Sequence, residues 1–136
     1  MSVALARGLG KLRRLTKRAQ FLRTARGARV SKSNFSLQMV SSPVEEPVSE
    51  IAAVSAANPG IGFTVTKKTG NSPERNRIKR RLRAAVMACA NLFQTQHDYV
   101  LIGRRKALET PFEELVSELE NALVRIHSNR PVAQRI

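Results

Sequence analysis

Three stretches of the chain alternate or run apolar in the manner of strands. Ile61, Phe63 and Val65 are separated by Gly62, Thr64 and Thr66. A period of two puts the large side chains on one face, so 61–67 is expected to be a strand. Phe35, Leu37 and Met39 repeat the pattern and predict a strand over 34–40. Tyr99 to Gly103 is a short apolar run of strand length. Ile51 to Ala57 is apolar but built of small residues, a weaker fourth candidate.

Two longer stretches follow the helical period. Ile78, Leu82, Ala85, Val86, Cys89, Leu92 and Phe93 form one continuous stripe. Ser72 suits the N-cap of that helix, Pro73 its first position and Glu74 the positive end of its dipole. Phe112, Leu115, Val116, Leu119, Ala122, Leu123 and Ile126 form a second stripe. Thr110-Pro111-Phe112-Glu113 opens it in the pattern of a capping box. A shorter helix is expected over Leu15 to Arg26, with Leu15, Ala19 and Leu22 on one face and Gly27 at its end. Asn58-Pro59-Gly60 is a turn.

The order α-β-(β)-β-α-β-α predicts an α+β fold. It would be a single-domain two-layer sandwich over 1–136, with a central sheet of three to four strands and three helices. The segment 41–57, whose first half is rich in Pro, Ser and Glu, is expected to be a long loop. Residues 1–12 are expected to be flexible and 128–136 to fray. A chain of 136 residues with 42% hydrophobic content can bury a core unaided.

Charge changes the picture. There are 24 Lys and Arg against 10 Asp and Glu, a formal net charge of +14. Such an excess is a footprint for a polyanion. Residues 1–33 carry Arg7, Lys11, Arg13, Arg14, Lys17, Arg18, Arg23, Arg26, Arg29 and Lys32 with no acid, and 67–83 carry eight basic residues against Glu74. The acids gather in Glu45–Glu50 and Glu109–Glu120, so the molecule is expected to be one-sided. No apolar run reaches membrane-spanning length, and the N-terminus lacks the apolar core of a secretory signal. A single cysteine, Cys89, excludes an internal disulfide and a cysteine-based zinc finger, and fits a reducing compartment.

The second helix concentrates this charge. With Ile78 at zero on a wheel of about 100° per residue, the apolar stripe spans roughly 320° to 80°. Lys79, Arg83, Asn76, Arg80, Arg77 and Arg81 fall at about 100°, 140°, 160°, 200°, 260° and 300°. Arg75 falls on the apolar side but lies in the first turn, where it can project past the sheet. A solvated face normally mixes both signs, and this one has no acid after Glu74. Arginines suit bidentate phosphate contacts. By contrast, Cys89 lies in an apolar stripe and reads as a buried small hydrophobe. His97 and His127 have no spacing that argues for acid–base catalysis, and the carboxylates none that argues for metal. The chain is therefore expected to lack a catalytic centre of its own.

Gly-Phe-Thr-Val-Thr-Lys-Lys (62–68), Gly70-Asn71 and Glu-Arg-Asn-Arg-Ile-Lys-Arg-Arg-Leu-Arg (74–83) resemble the signature of the bacterial ribonuclease P protein subunit. Arg75-Asn76-Arg77 matches that family's Arg-Asn-Arg motif. Leu15 through Phe21 resembles its first helix, 98–104 its last strand and 111–127 its last helix, so the resemblance covers roughly 12–127. It implies a left-handed βαβ crossover. It implies a cytoplasmic ribonucleoprotein endonuclease that removes the 5′ leader of precursor tRNA. The catalyst is the RNA, using Mg²⁺, with one protein per RNA, and the protein alone is inactive. Carried over, Arg75, Asn76, Arg77, Lys79, Arg80 and Arg83 would face the catalytic RNA. Phe21, Arg18, Lys67 and Lys68 would line a leader cleft. Ala25 and Gln38 stand where the family often has aromatic residues, and Ser72-Pro73 replaces its usual Ala-Val. Fewer aromatics would shift leader binding from stacking towards charge. Two rival classes fit the charge alone. One is a general RNA-binding module; the other is a peripheral membrane protein, for which the narrow apolar face of the first helix is poorly suited.

Overall fold

The computed structural model describes residues 12–41 and 58–128. The candidate strand 51–57 and nearly all of the 1–12, 41–57 and 128–136 segments lie outside them. The elements are β1 (Arg13–Arg14), α1 (Arg18–Ala25), β2 (Ala28–Ser31), β3 (Phe35–Ser41), β4 (Gly60–Thr64), α2 (Ser72–Ala88), β5 (His97–Gly103) and α3 (Phe112–Ser128). The expected α+β architecture with three helices is present. Its sheet has five strands, in the order β1-β4-β5-β3-β2. β1 runs parallel to β4 and β4 parallel to β5, whereas β3 is antiparallel to both β5 and β2. The α2 connection from β4 to β5 makes a βαβ unit.

Register explains which residues form the core. Ile61, Tyr99, Met39 and Ala28 lie side by side across the sheet, as do Phe63, Leu101, Leu37 and Val30. Both rows face α2 and α3, whose Ile78, Leu82, Ala85, Leu115, Leu119 and Leu123 are fully buried. Gly103 lets Ile78 and Leu82 close down on β5: a Cβ there would lie 2.6 Å from Ile78 Cγ2. The α2 and α3 stripes expected from sequence are this interface, except that Phe112 is exposed. α2 stops at Ala88, so Leu92 and Phe93 reach the core from the short turn that follows.

The opposite face of the sheet is covered in part by α1, with Gln38, Asp98 and Val100 in the interior, and Ser36 is buried on the same face where Arg104 Nη2 donates to its Oγ at 2.9 Å. Alternation predicts that the polar members of this set face water, and α1 is the reason Gln38 and Asp98 do not. α1 itself differs from expectation. It begins at Arg18, after a turn in which Gln20 Oε1 accepts from the Thr16 and Lys17 N–H groups, both at 2.9 Å. Leu15 is buried ahead of the helix, Ala19 is exposed and Leu22 is 51% exposed, so the Leu15/Ala19/Leu22 stripe does not exist. The residue α1 buries fully is Thr24, with Phe21 half-buried.

Two smaller boundaries also move. The N-cap of α2 is Asn71, not Ser72. Asn71 Oδ1 accepts from Glu74 N and Glu74 Oε1 accepts from Asn71 N, each at 2.9 Å, a reciprocal box that needs the acid three residues on. β4 ends at Thr64, and Lys67–Thr69 form a single 3₁₀ turn rather than the end of the strand.

Candidate nucleic-acid interface

α2 presents the basic residues in distinct sectors. Asn76, Arg77 and Arg80 are exposed. No side-chain hydrogen bond or ion pair to another described residue engages them. Arg75, half-buried in the first turn, donates to Ser72 Oγ at 2.9 Å. Arg81 is turned inward and donates to the Thr110 carbonyl, which ties α2 to the start of α3. It leaves the charged face on which the wheel places it. Glu74, the lone acid of this stretch, is neutralised by Arg105 at 2.8 Å, and that bond holds its carboxyl below the usual range. The outward sector of α2 therefore carries uncompensated positive charge.

A cleft of about 570 Å³ opens where β1, the turn into α1, β4 and α2 meet. Its apolar lining includes Leu15, Phe21, Ile61, Phe63 and Val86, and its basic lining Arg13, Arg14, Lys79 and Arg83. The Arg83 guanidinium lies over the Phe63 ring, 5.6 Å from its centroid, a contact worth about 0.5–1 kcal/mol at exposed sites. Gly62 makes room for Phe21: a Cβ there would stand 2.6 Å from Phe21 Cε2. An aromatic floor beside a basic rim can take bases and phosphates at once.

The sequence-derived residues fall as follows. Phe21 lines the cleft, and so do Lys79 and Arg83, which the resemblance places on the catalytic-RNA side. Arg18 is exposed at the first position of α1, and Lys67 and Lys68 are exposed in the 3₁₀ turn before α2. None of these three is in the cleft lining. Gln38 is buried beneath α1 and Ala25 is exposed at its end.

Sequence reasoning missed a group behind the cleft. Asp98 is 1% exposed. Its Oδ1 accepts from Arg13 Nη2 at 2.7 Å and its Oδ2 from Arg23 Nη2 at 2.6 Å. Arg13 also donates through Nε to the Asn58 carbonyl at 2.6 Å. Gly60 lies between Arg13 and Asp98 in the sheet register, and a Cβ on it would stand 2.5 Å from Asp98 Oδ1. A buried carboxylate is costly unless paired and hydrogen-bonded. The signal was present: Asp98 stands apart from both acidic clusters, at the mouth of an apolar strand.

Nothing else in the described residues resembles a reaction centre. Cys89 is buried, and burial pushes its thiol up to about 12. His97 opens β5, and its Nδ1 lies 2.8 Å from the Thr95 carbonyl. His127 Nε2 lies 2.8 Å from the Tyr99 hydroxyl, which also accepts from Gln94 N. No group of three or more His, Cys, Asp and Glu able to hold a metal occurs among the described residues. No helix among them is long and apolar enough to cross a membrane.

The chain is similar to known proteins in sequence and in fold. A family model described as Ribonuclease P matches residues 9–127. The ribonuclease P protein component of Brucella melitensis is 39% identical over 123 residues, spanning 90% of this chain and 85% of that protein. The one from Ruegeria pomeroyi is 35% identical over 133 residues, spanning 96% and 97%. Among solved structures, the RNase P protein of Thermotoga maritima superposes with a TM-score of 0.65 at 23% identity, covering 83% of this chain and 96% of that one. The Staphylococcus aureus RNase P protein superposes at 0.62 with 24% identity, covering 81% and 91%.

Proposed function

The chain belongs to the ribonuclease P protein family, and from that premise we propose how it serves a tRNA-processing ribonuclease. As a protein component it works with an RNA subunit. On this proposal that RNA is the catalyst, and the outward sector of α2, with Arg75, Asn76, Arg77 and Arg80, binds it. The cleft takes the single-stranded 5′ leader of precursor tRNA, with bases against Phe21 and phosphates at Arg13, Arg14, Lys79 and Arg83. Arg18, Lys67 and Lys68 guide the leader outside the cleft. The holoenzyme hydrolyses the phosphodiester bond between leader and mature 5′ end, with one protein per RNA, in the cytoplasm. Mg²⁺ is assigned to the RNA: the nearby protein carboxylates, Glu74 and Asp98, are already engaged by arginines. The protein's own part is to bind, orient and screen charge.

The observation that carries this reading is the adjacency of two basic surfaces on one helix, one outward and one rimming an aromatic cleft. The test is cleavage of a precursor tRNA by a bacterial ribonuclease P RNA at low Mg²⁺, with and without the protein. Accurate leader removal is expected only with both components. Tight RNA binding that never rescues cleavage, across several bacterial RNAs, would leave a general RNA-binding module in its place.

A further inference from the structure

We infer that Asp98 is a positioning residue for substrate recognition: it clamps Arg13 of β1 and Arg23 of α1 together and so fixes the spacing of the cleft walls. The inference rests on the leader-binding reading above. Both clamped elements contribute to the cleft, β1 through Arg13 and Arg14 and α1 through Phe21. Both elements are short. β1 is two residues long, its backbone anchored by Arg13 N to Pro59 O at 2.7 Å and Leu15 N to Ile61 O at 2.8 Å. α1 spans eight residues and fully buries only Thr24, too little apolar surface to fix a short helix. The Asp98 carboxylate binds one guanidinium with each oxygen. The Arg23 Nε is buried without a partner, so the carboxylate, not the surroundings, sets that side chain's place.

Asp98→Asn preserves shape but turns an amide donor towards one of the two guanidinium groups. Its charge effect and its geometric effect have opposite signs. Removing an acid raises the net positive charge, which by counterion release alone tightens binding to any RNA. A loss of leader recognition therefore reports geometry. The experiment has two arms. In the free protein, hydrogen exchange at amides 13–25 is expected to speed at least ~10-fold in Asp98→Asn, with α2 and α3 amides unchanged, because local opening follows local contacts. With the catalytic RNA, the preference for precursor over mature tRNA is expected to fall about 10-fold, while assembly with the RNA is equal or tighter.

Unchanged exchange at 13–25 overturns the clamp whatever the activity. Faster exchange with full precursor preference overturns its role in recognition. A wild-type complex that shows no precursor preference sinks the leader-binding reading itself, and the exchange arm still reports separately on the clamp. Should Asp98→Asn fail to fold, Arg23→Gln and Arg23→Lys replace it. Lys retains an ion pair and is expected to recover most of the protection that Gln loses.

Discussion

Replacing Phe21 with Ala separates core packing from ligand contact. The ring is half-buried, against Gly62, and lines the cleft. Truncating a fully buried Phe costs about 3–5 kcal/mol. Phe21 is more buried than exposed, so most of that cost applies and the expected stability loss is about 2–4 kcal/mol. A base stacked on the exposed part of the ring contributes about 1–3 kcal/mol, equivalent to roughly 5- to 150-fold in affinity. The expected result is a fall in the urea midpoint, with precursor affinity in the holoenzyme down at least ~5-fold and mature tRNA affinity unchanged. Equilibrium binding of both tRNAs at fixed salt, alongside urea unfolding of free protein, makes the measurement. A stability loss of this size with unchanged precursor affinity would show Phe21 to be a core residue only and refute the cleft assignment.

Other sites give sharper, smaller tests. Arg77→Ala removes an exposed guanidinium that no other described residue engages, so assembly with the RNA should weaken and its log–log salt slope should fall by about 0.7–0.9, with the helical signal intact. Cys89, its thiol pushed up to about 12 by burial, should resist alkylation in the native state near pH ~8 and react after denaturation. Tyr99 is the single tyrosine, and burial pushes its phenol up to about 12 against ~10 unfolded. The neutral form is favoured by folding, so this stabilisation is complete below pH ~10 and is lost as pH rises towards the folded value. Tyrosinate absorbance should titrate late in native protein and near ~10 in urea. Tyr99→Phe should cost about 1–3 kcal/mol by leaving Gln94 N–H without its acceptor.

What could be read from the chain, and what could not, divides along local and non-local causes. Both long stripes and the Phe35/Leu37/Met39 alternation are local statements about one face, and apart from Phe112 and the turn that carries Leu92 and Phe93 they pack as expected. The cap of α2 was also readable: Asn71 stands three residues before Glu74 and Ser72 does not. β1 was not, because two arginines carry no strand signal and pair only since Pro59 and Ile61 offer carbonyls. The buried Gln38 was hidden for the same kind of reason. An alternating strand declares its apolar face, while the covering of its polar face depends on where α1 lands. Sequence placed Lys79 and Arg83 on a charged helix face; which neighbour that face meets is a tertiary fact.

On the proposed function, that tertiary fact gives α2 a division of labour. Lys79 and Arg83, at about 100° and 140° on the wheel, border one edge of the apolar stripe, and Arg80 and Arg77 lie at about 200° and 260°. The cleft opens on the first side only. One helix, pinned to the core by Ile78, Leu82, Ala85 and Val86, therefore holds two basic sectors at a fixed angle. On the proposed function, that rigidity sets the leader against the catalytic RNA without any protein group touching the reacting phosphate. Charge in the two sectors should then act independently. Losses at Arg77 should fall on assembly, and losses at Lys79 on the preference for precursor. The double substitution should show the sum of both, as expected for sites that share a scaffold but no ligand. A coupled loss would mean that the two RNAs share one sector, and that the angle between the sectors has no role.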